Sequence, residues 1–119
     1  KSVFDNLSFD FYGEAENYKE ALELLKKLIL EGKKVGYILL DITMPEISGD
    51  QLIPLIMDIC KDSRIIMTTS VAVKMTVQRC IVAGAQGYIL KPVTEEKVLE
   101  AMNIITIRDL LKKKGIKAD

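Results

Sequence analysis

An α/β fold, with a doubly wound parallel sheet covered by helices on both faces, is predicted by three observations. Short apolar runs alternate along the chain with longer stretches whose apolar residues recur at helical spacing. One run, Val35-Gly36-Tyr37-Ile38-Leu39-Leu40, is almost wholly apolar, the pattern of a strand buried on both faces. Hydrophobic residues make up 49% of the 119, with no repeat, low-complexity tract or Pro/Gly/Ser-rich linker. That is enough for one continuous core, so residues 1–119 read as a single domain.

Residues 9–12 form a short aromatic strand candidate, followed by Gly13 and a turn. Asn17 is a plausible cap for a helix from Tyr18 to about Leu30, in which Ala21, Leu22, Leu24, Leu25 and Leu28 share a face. Gly32, Lys33 and Lys34 supply its stop signals. A strand over residues 35–40 ends at Asp41, and a loop with Pro45 and Gly49 leads to a helix over about 50–60. Residues 65–67 make the next strand, ending in Thr68-Thr69-Ser70, and a helix spans about 73–83. The strand over 88–90 closes at Lys91-Pro92. The last helix is capped by Thr94, carries Glu95 and Glu96 in its first turn and ends by Gly115. Its early core stripe is Val98, Ala101, Met102 and Ile105. Ile104, Ile107 and Leu111 fall on roughly the opposite side, where something besides the sheet is expected to cover them.

Composition excludes several chemistries. There is no histidine, hence no Ser-His-Asp or Cys-His pair, no imidazole metal ligand and no phosphohistidine donor. The 17 basic and 17 acidic residues cancel, so no global field draws the chain to nucleic acid or anionic lipid, and direct nucleic-acid binding is not expected. Lys112, Lys113 and Lys114 read as solvated charges complementing a helix C-terminus. Cys60 and Cys80 lie in apolar helical patterns without C-x-x-C spacing and read as buried free thiols of a reducing cytoplasm. No apolar run approaches the roughly 18 residues of a membrane span, and no signal pattern opens the sequence, so a cytoplasmic location is expected.

Three consecutive strands end in Asp41, Thr69 and Lys91, and open parallel sheets form their ligand sites at the carboxyl ends of strands. Singly, each could be a cap or a solvated charge. Together they combine a carboxylate able to attack phosphorus, a hydroxyl able to bond a phosphoryl oxygen and an ammonium able to neutralise incoming charge. The residue types point to a phosphoryl or other anion site.

The stretch Leu40-Asp41-Ile42-Thr43-Met44-Pro45-Glu46-Ile47-Ser48-Gly49 resembles the phosphoacceptor loop of CheY-like response-regulator receiver domains, with Pro four and Gly eight residues after the Asp. Ile65-Ile66-Met67-Thr68-Thr69-Ser70 resembles the family's fourth strand, and Ala83-Gly84-Ala85-Gln86-Gly87-Tyr88-Ile89-Leu90-Lys91-Pro92 its fifth strand and Lys-Pro motif. The resemblance covers essentially everything from Phe9 onward and implies a flavodoxin-like sheet of strand order 2-1-3-4-5.

It further implies that Asp41 accepts a phosphoryl group from a sensor histidine kinase or phosphotransfer protein, with Mg2+ as cofactor held by Asp41 and the Thr43 backbone carbonyl. Thr69 and the Ser70 N–H would bond the phosphoryl group, Lys91 would pair with it, and Tyr88 would be the aromatic switch that turns inward with Thr69. The Lys91-Pro92 bond is expected to be cis. The implied output face is the family's fourth helix, fifth strand and fifth helix, where a homodimer or partner contact is expected. Thr43 and Val71 match positions flanking the attacking water, and neither supplies an acid or amide to orient it, so slow self-dephosphorylation is expected.

The family's first strand and the acidic pair that supplies further metal ligands are not found in the sequence. Residues 1–7 resemble the start of the following helix, which would place that strand upstream of Lys1. The interval from Leu7 to Phe9 is too short for the rest of that helix. The expectation is a segment of a longer polypeptide, with true truncation or a strand-swapped dimer as alternatives. The rival functions are a pseudo-receiver, acting as an interaction module without phosphate, and two weaker ones. A haloacid-dehalogenase-like phosphatase needs Asp where Thr43 stands, and an FMN binder needs a Ser/Thr/Gly-rich loop that is missing.

Overall fold

The computed structural model describes residues 12–43, 46–70 and 74–115. Of the expected strand over 9–12, residues 9–11 lie outside the described residues, as does the stretch that resembles the start of a first helix, and Tyr12 itself is not in a strand. The described elements run in the order α1 (Tyr18–Leu30), β1 (Tyr37–Asp41), α2 (Gly49–Ile59), β2 (Arg64–Thr69), α3 (Lys74–Ala83), β3 (Gly87–Leu90) and α4 (Glu95–Lys113).

Local chemistry sets the boundaries. Asn17 Oδ1 accepts from Glu20 N at 2.9 Å and opens α1. The helix closes with Gly32 at φ 77, where Gly32 N donates to Ile29 O and Lys33 N to Leu28 O, the paired bonds of a Schellman stop. Before α2, Ser48 N donates to the Gln51 side-chain oxygen at 3.4 Å. Pro54 lies inside α2 at an exposed position, where water can replace the backbone bond its ring removes. Thr94 Oγ1 accepts from Lys97 N at 3.2 Å at the head of α4.

The described sheet is parallel with order β1-β2-β3. Its register sets Asp41 beside Thr68 and Thr69 beside Leu90. Strand alternation divides the core between two faces. Leu40, Ile65 and Met67 pack with Leu25 of α1, Leu52, Ile53 and Ile56 of α2, and Val77 and Cys80 of α3. Ile66 and Ile89 pack with Val98, Met102 and Ile105 of α4. Helices on both faces of a parallel sheet confirm the doubly wound α/β class.

Three expectations are corrected. The strand expected over residues 35–40 begins at Tyr37, not Val35, and runs to Asp41, after which Ile42 N still donates to Thr68 O. It is not buried on both faces among the described residues: Leu40 is buried, but Tyr37, Ile38 and Leu39 are half-buried, and a groove of about 510 Å³ lined by Leu24, Leu28, Ile38 and Leu40 lies against it. β2 ends at Thr69, as the strand-end reading of the sequence expects. On α4, Ile104 and Ile107 are 43% and 56% exposed, as their phase requires, whereas Leu111 is half-buried.

The later part of α4 is fixed by polar contacts where its apolar phase changes. Arg64 Nε and Nη2 donate to Asp109 Oδ2 at 3.1 and 2.9 Å, and Arg108 Nη1 donates to Gln86 O at 3.0 Å. Cys60 and Cys80 are buried and free. Burial pushes both thiols upward; a hydrogen bond with Ser63 offsets part of the rise at Cys60, and the Asp50 charge adds to it at Cys80. Among the described residues, no helix is long and apolar enough to cross a membrane.

Gly49 begins α2 in close contact with Ile42, so a larger residue there requires Ile42 to shift. A Cβ at this position would lie 3.0 and 3.1 Å from Ile42 carbons and 3.4 Å from Cys80 Sγ. Gly49→Ala gains at most about 1 kcal/mol of helix propensity, less at a helix end, against about 1–3 kcal/mol of overpacking. A net loss of roughly 1–2 kcal/mol is expected in urea unfolding. Unchanged or increased stability would show that Ile42 yields without strain.

Candidate functional site

Parallel register brings the carboxyl ends of the three described strands to one edge of the sheet, and the polar residues of the sequence pattern collect there. Asp41 is the last residue of β1, Thr69 the last of β2, and Lys91 follows β3. Lys91 N donates to Thr69 O at 2.7 Å, which joins the last two strand ends through the backbone. The Lys91 ammonium crosses to Asp41 Oδ2 at 2.5 Å, joining the outer two through side chains.

Asp41 is held on both oxygens. Oδ2 takes the Lys91 ammonium, while Oδ1 accepts from Thr43 N at 2.9 Å and Thr43 Oγ1 at 2.5 Å. Partial burial pulls the carboxyl toward the neutral form. The hydrogen bond from Lys91, the two from Thr43 and the Lys91 charge together outweigh burial and hold it below the ordinary carboxylate range. The group is therefore ionised at neutral pH, the state a nucleophile or cation ligand requires.

Thr69 is 2% exposed at the end of β2, whereas the Asp41 and Lys91 side chains are about a third exposed. Ser70 follows it and is exposed. Tyr88 is 48% exposed on β3, and its neighbour two residues on, Leu90, is 43% exposed; Leu90 is the residue in register with Thr69. The Lys91-Pro92 peptide is cis, as expected. Met44, Pro45 and Val71, the last expected to flank the attacking water, lie outside the described residues.

Two features were not readable from the motif. The hydroxyl and N–H of Thr43, for which the resemblance implies only a carbonyl ligand and a place beside the water path, both grip Asp41. Lys97, which no motif singles out, sends Nζ to Leu90 O at 2.9 Å and Pro92 O at 3.1 Å, on either side of Lys91. The threonine could have been suspected from the Asp-x-Thr spacing, an ordinary side-chain turn. The lysine leaves no such trace.

The donor chemistry suits a hard divalent cation. An ionised Asp41 carboxylate is a hard oxygen donor, and the groups that would complete such a site are the Thr43 carbonyl and waters, since Mg2+ characteristically takes few protein oxygens. Among the described residues no group of three or more His, Cys, Asp or Glu side chains is placed to hold a metal ion.

Comparison with known proteins agrees with the geometry. The response regulator receiver domain family model matches residues 1–103. The chain is similar to the chemotaxis protein CheY of Thermotoga maritima, 34% identical over 106 residues, covering 89% of this chain and 84% of that protein. A CheX-CheY-BeF3-Mg+2 complex from Borrelia burgdorferi superposes with a TM-score of 0.75 at 28% identity, over 87% of this chain and 75% of that one. A response regulator from Burkholderia pseudomallei, solved with a phosphorylated aspartic acid, a calcium ion and citrate, gives a TM-score of 0.69 at 26% identity, over 91% and 65%.

The hydrogen bonds to Asp41 have a measurable consequence. Lys91→Met removes both the donor on Oδ2 and the nearby positive charge, so the Asp41 pKa is expected to rise in a carboxyl NMR titration. In the unaltered protein the depressed pKa stabilises the fold above the ordinary carboxylate pKa, about 3.9, and that contribution is lost as pH falls through the lower folded value. Because both side chains are about a third exposed, its size is limited to about 1 kcal/mol or less. A pKa unmoved by Lys91→Met would show that Thr43 alone sets it.

Proposed function

The chain belongs to the response regulator receiver domain family, and on that premise we propose that it is a phosphoacceptor switch of two-component signalling in which Asp41 takes the phosphoryl group. The observation that carries this reading is the meeting of Asp41 and Lys91 at 2.5 Å across strand ends, with Thr69 at the end of the strand between them. The proposed donor is a phosphohistidine on a sensor kinase or phosphotransfer protein, consistent with a chain that has no histidine of its own. Residues 1–119 act as one cytoplasmic receiver unit in this reading.

In the transfer, an ionised Asp41 oxygen forms a bond to phosphorus as the phosphorus–nitrogen bond of the donor breaks, and the leaving imidazole keeps the bonding pair and takes a proton from solvent. No proton has to be removed from Asp41, because its hydrogen bonds already keep it ionised. Lys91 offers charge to the incoming oxygens, and Thr69 and the Ser70 N–H offer hydrogen bonds. Mg2+, held by Asp41 and the Thr43 carbonyl, would supply further neutralisation of phosphoryl charge. Tyr88 would turn inward as Thr69 is recruited, changing the face formed by α3, β3 and α4.

The reading is tested by incubating the full-length protein with Mg2+ and acetyl phosphate and measuring intact mass. One phosphoryl adduct is expected on the unaltered protein and none on Asp41→Asn, with slow decay after the donor is removed. An unaltered, folded protein that takes no phosphate would refute the phosphoacceptor assignment and leave an interaction module.

The output face carries a second expectation. Tyr88, Leu90, Ile104 and Ile107 are all at least 43% exposed, so phosphorylation is proposed to promote a homodimer or partner contact there. Ile107→Glu should weaken self-association of the phosphorylated protein in light scattering. A protein that is monomeric both with and without phosphate would rule out the homodimer.

A further inference from the structure

We propose that Lys97 is a positioning residue for Lys91: by binding the carbonyls on both sides of it, Lys97 holds the β3–α4 turn so that the Lys91 ammonium stays aimed at the end of β1. The proposal rests on the phosphoacceptor reading for its functional meaning, and on the turn's own geometry for its physical content.

The position of Lys97 is unfavourable for a lysine unless it has local compensation. With Thr94 as the cap, Lys97 is the third residue of α4, where the helix dipole favours an acidic group and disfavours a cation by about 0.3–1 kcal/mol. A Thr cap followed three residues later by Glu or Gln would also form a reciprocal capping pair, which this sequence forgoes. What the lysine has instead is two acceptors: Nζ lies 2.9 Å from Leu90 O and 3.1 Å from Pro92 O. Among the described residues no carboxylate pairs with it. Its backbone is fixed at the same time, since Lys97 N donates to Thr94 Oγ1 at 3.2 Å.

The two acceptors bracket a single residue, Lys91. An ammonium with three donors that satisfies carbonyls on both sides of Lys91 restricts the backbone from which the Lys91 side chain springs. A second tie on that backbone is the bond from Lys91 N to Thr69 O at 2.7 Å. One tie fixes the turn to β2 and the other fixes it to the head of α4. Lys91 is about a third exposed and has a flexible four-carbon stem, so holding its root adds to the Asp41 contact in limiting where its charge can reach. Misplacement of a charge-bearing group by an ångström can lower a rate by orders of magnitude.

The test uses full-length protein with Lys97→Gln and Lys97→Arg. Glutamine completes the capping pair with Thr94 but is too short to span both carbonyls; arginine keeps charge and reach. The Gln variant should keep or gain thermal stability, take phosphate from acetyl phosphate about tenfold more slowly, and show about tenfold faster hydrogen exchange at the Lys91 amide. The Arg variant should stay within about twofold of the unaltered protein in both measurements. A Gln variant that changes neither, or only one, overturns the proposal, because positioning requires that the turn and the rate respond together. If the unaltered protein takes no phosphate, the phosphoacceptor reading fails separately, and exchange at Lys91 decides: faster exchange in Gln with recovery in Arg sustains the hold on the turn, and unchanged exchange refutes it.

Discussion

The contact between Asp41 and Lys91 is the constraint around which the molecule is arranged. The two residues are 50 apart in the chain and belong to strands that are not neighbours, since β2 lies between β1 and β3. They meet only if all three strands run parallel and stop at the same level. The register achieves this by pairing Asp41 with Thr68 and Thr69 with Leu90. Parallel strands in turn require long crossovers, which α2 and α3 supply, and those helices need the apolar cluster of Leu52, Ile53, Ile56, Val77 and Cys80. Core packing on one face of the sheet is therefore what sets a polar distance at its edge.

Much of this was legible because the relevant signals are local. Asn17, Gly32 and Thr94 mark helix ends through hydrogen bonds or backbone conformations confined to a few residues, and each does so in the structure. The strand-end placement of Asp41, Thr69 and Lys91 was also readable, because apolar runs that stop at a polar residue record where a buried strand meets solvent. The depth of β1 was not readable. Its residues are apolar enough for burial on both faces, but burial depends on which elements lie alongside it, and a run of apolar residues records only tolerance of burial.

The grips on Asp41 and Lys91 were hidden for a different reason. Thr43 and Lys97 are polar residues on a loop and a first helical turn, where such residues are common and usually only solvated. Their meaning depends on rotamers and on what lies within 3 Å, which sequence spacing does not encode. Lys97 is the clearer case. Read alone, it is a slightly misplaced cation in an acidic first turn; read with Leu90 O and Pro92 O in place, it is a tie across the turn.

The resting site is also electrically closed, which bears on how it could signal. Asp41 and Lys91 together carry no net charge, and both carboxylate oxygens are engaged. Replacing a carboxylate of charge −1 by an acyl phosphate of about −2 would leave that balance unsatisfied and displace a donor from at least one oxygen. In the proposed switch a divalent cation would restore the charge balance, and the Thr69 hydroxyl would supply a hydrogen bond to the new oxygens. Drawing Thr69 toward new charge would disturb a side chain that is 2% exposed, in a sheet end where the next strand presents the exposed Tyr88 and Leu90. In the proposed switch, the same parallel register that assembles the site would carry its charge imbalance to the surface, across one strand spacing and without a long-range pathway.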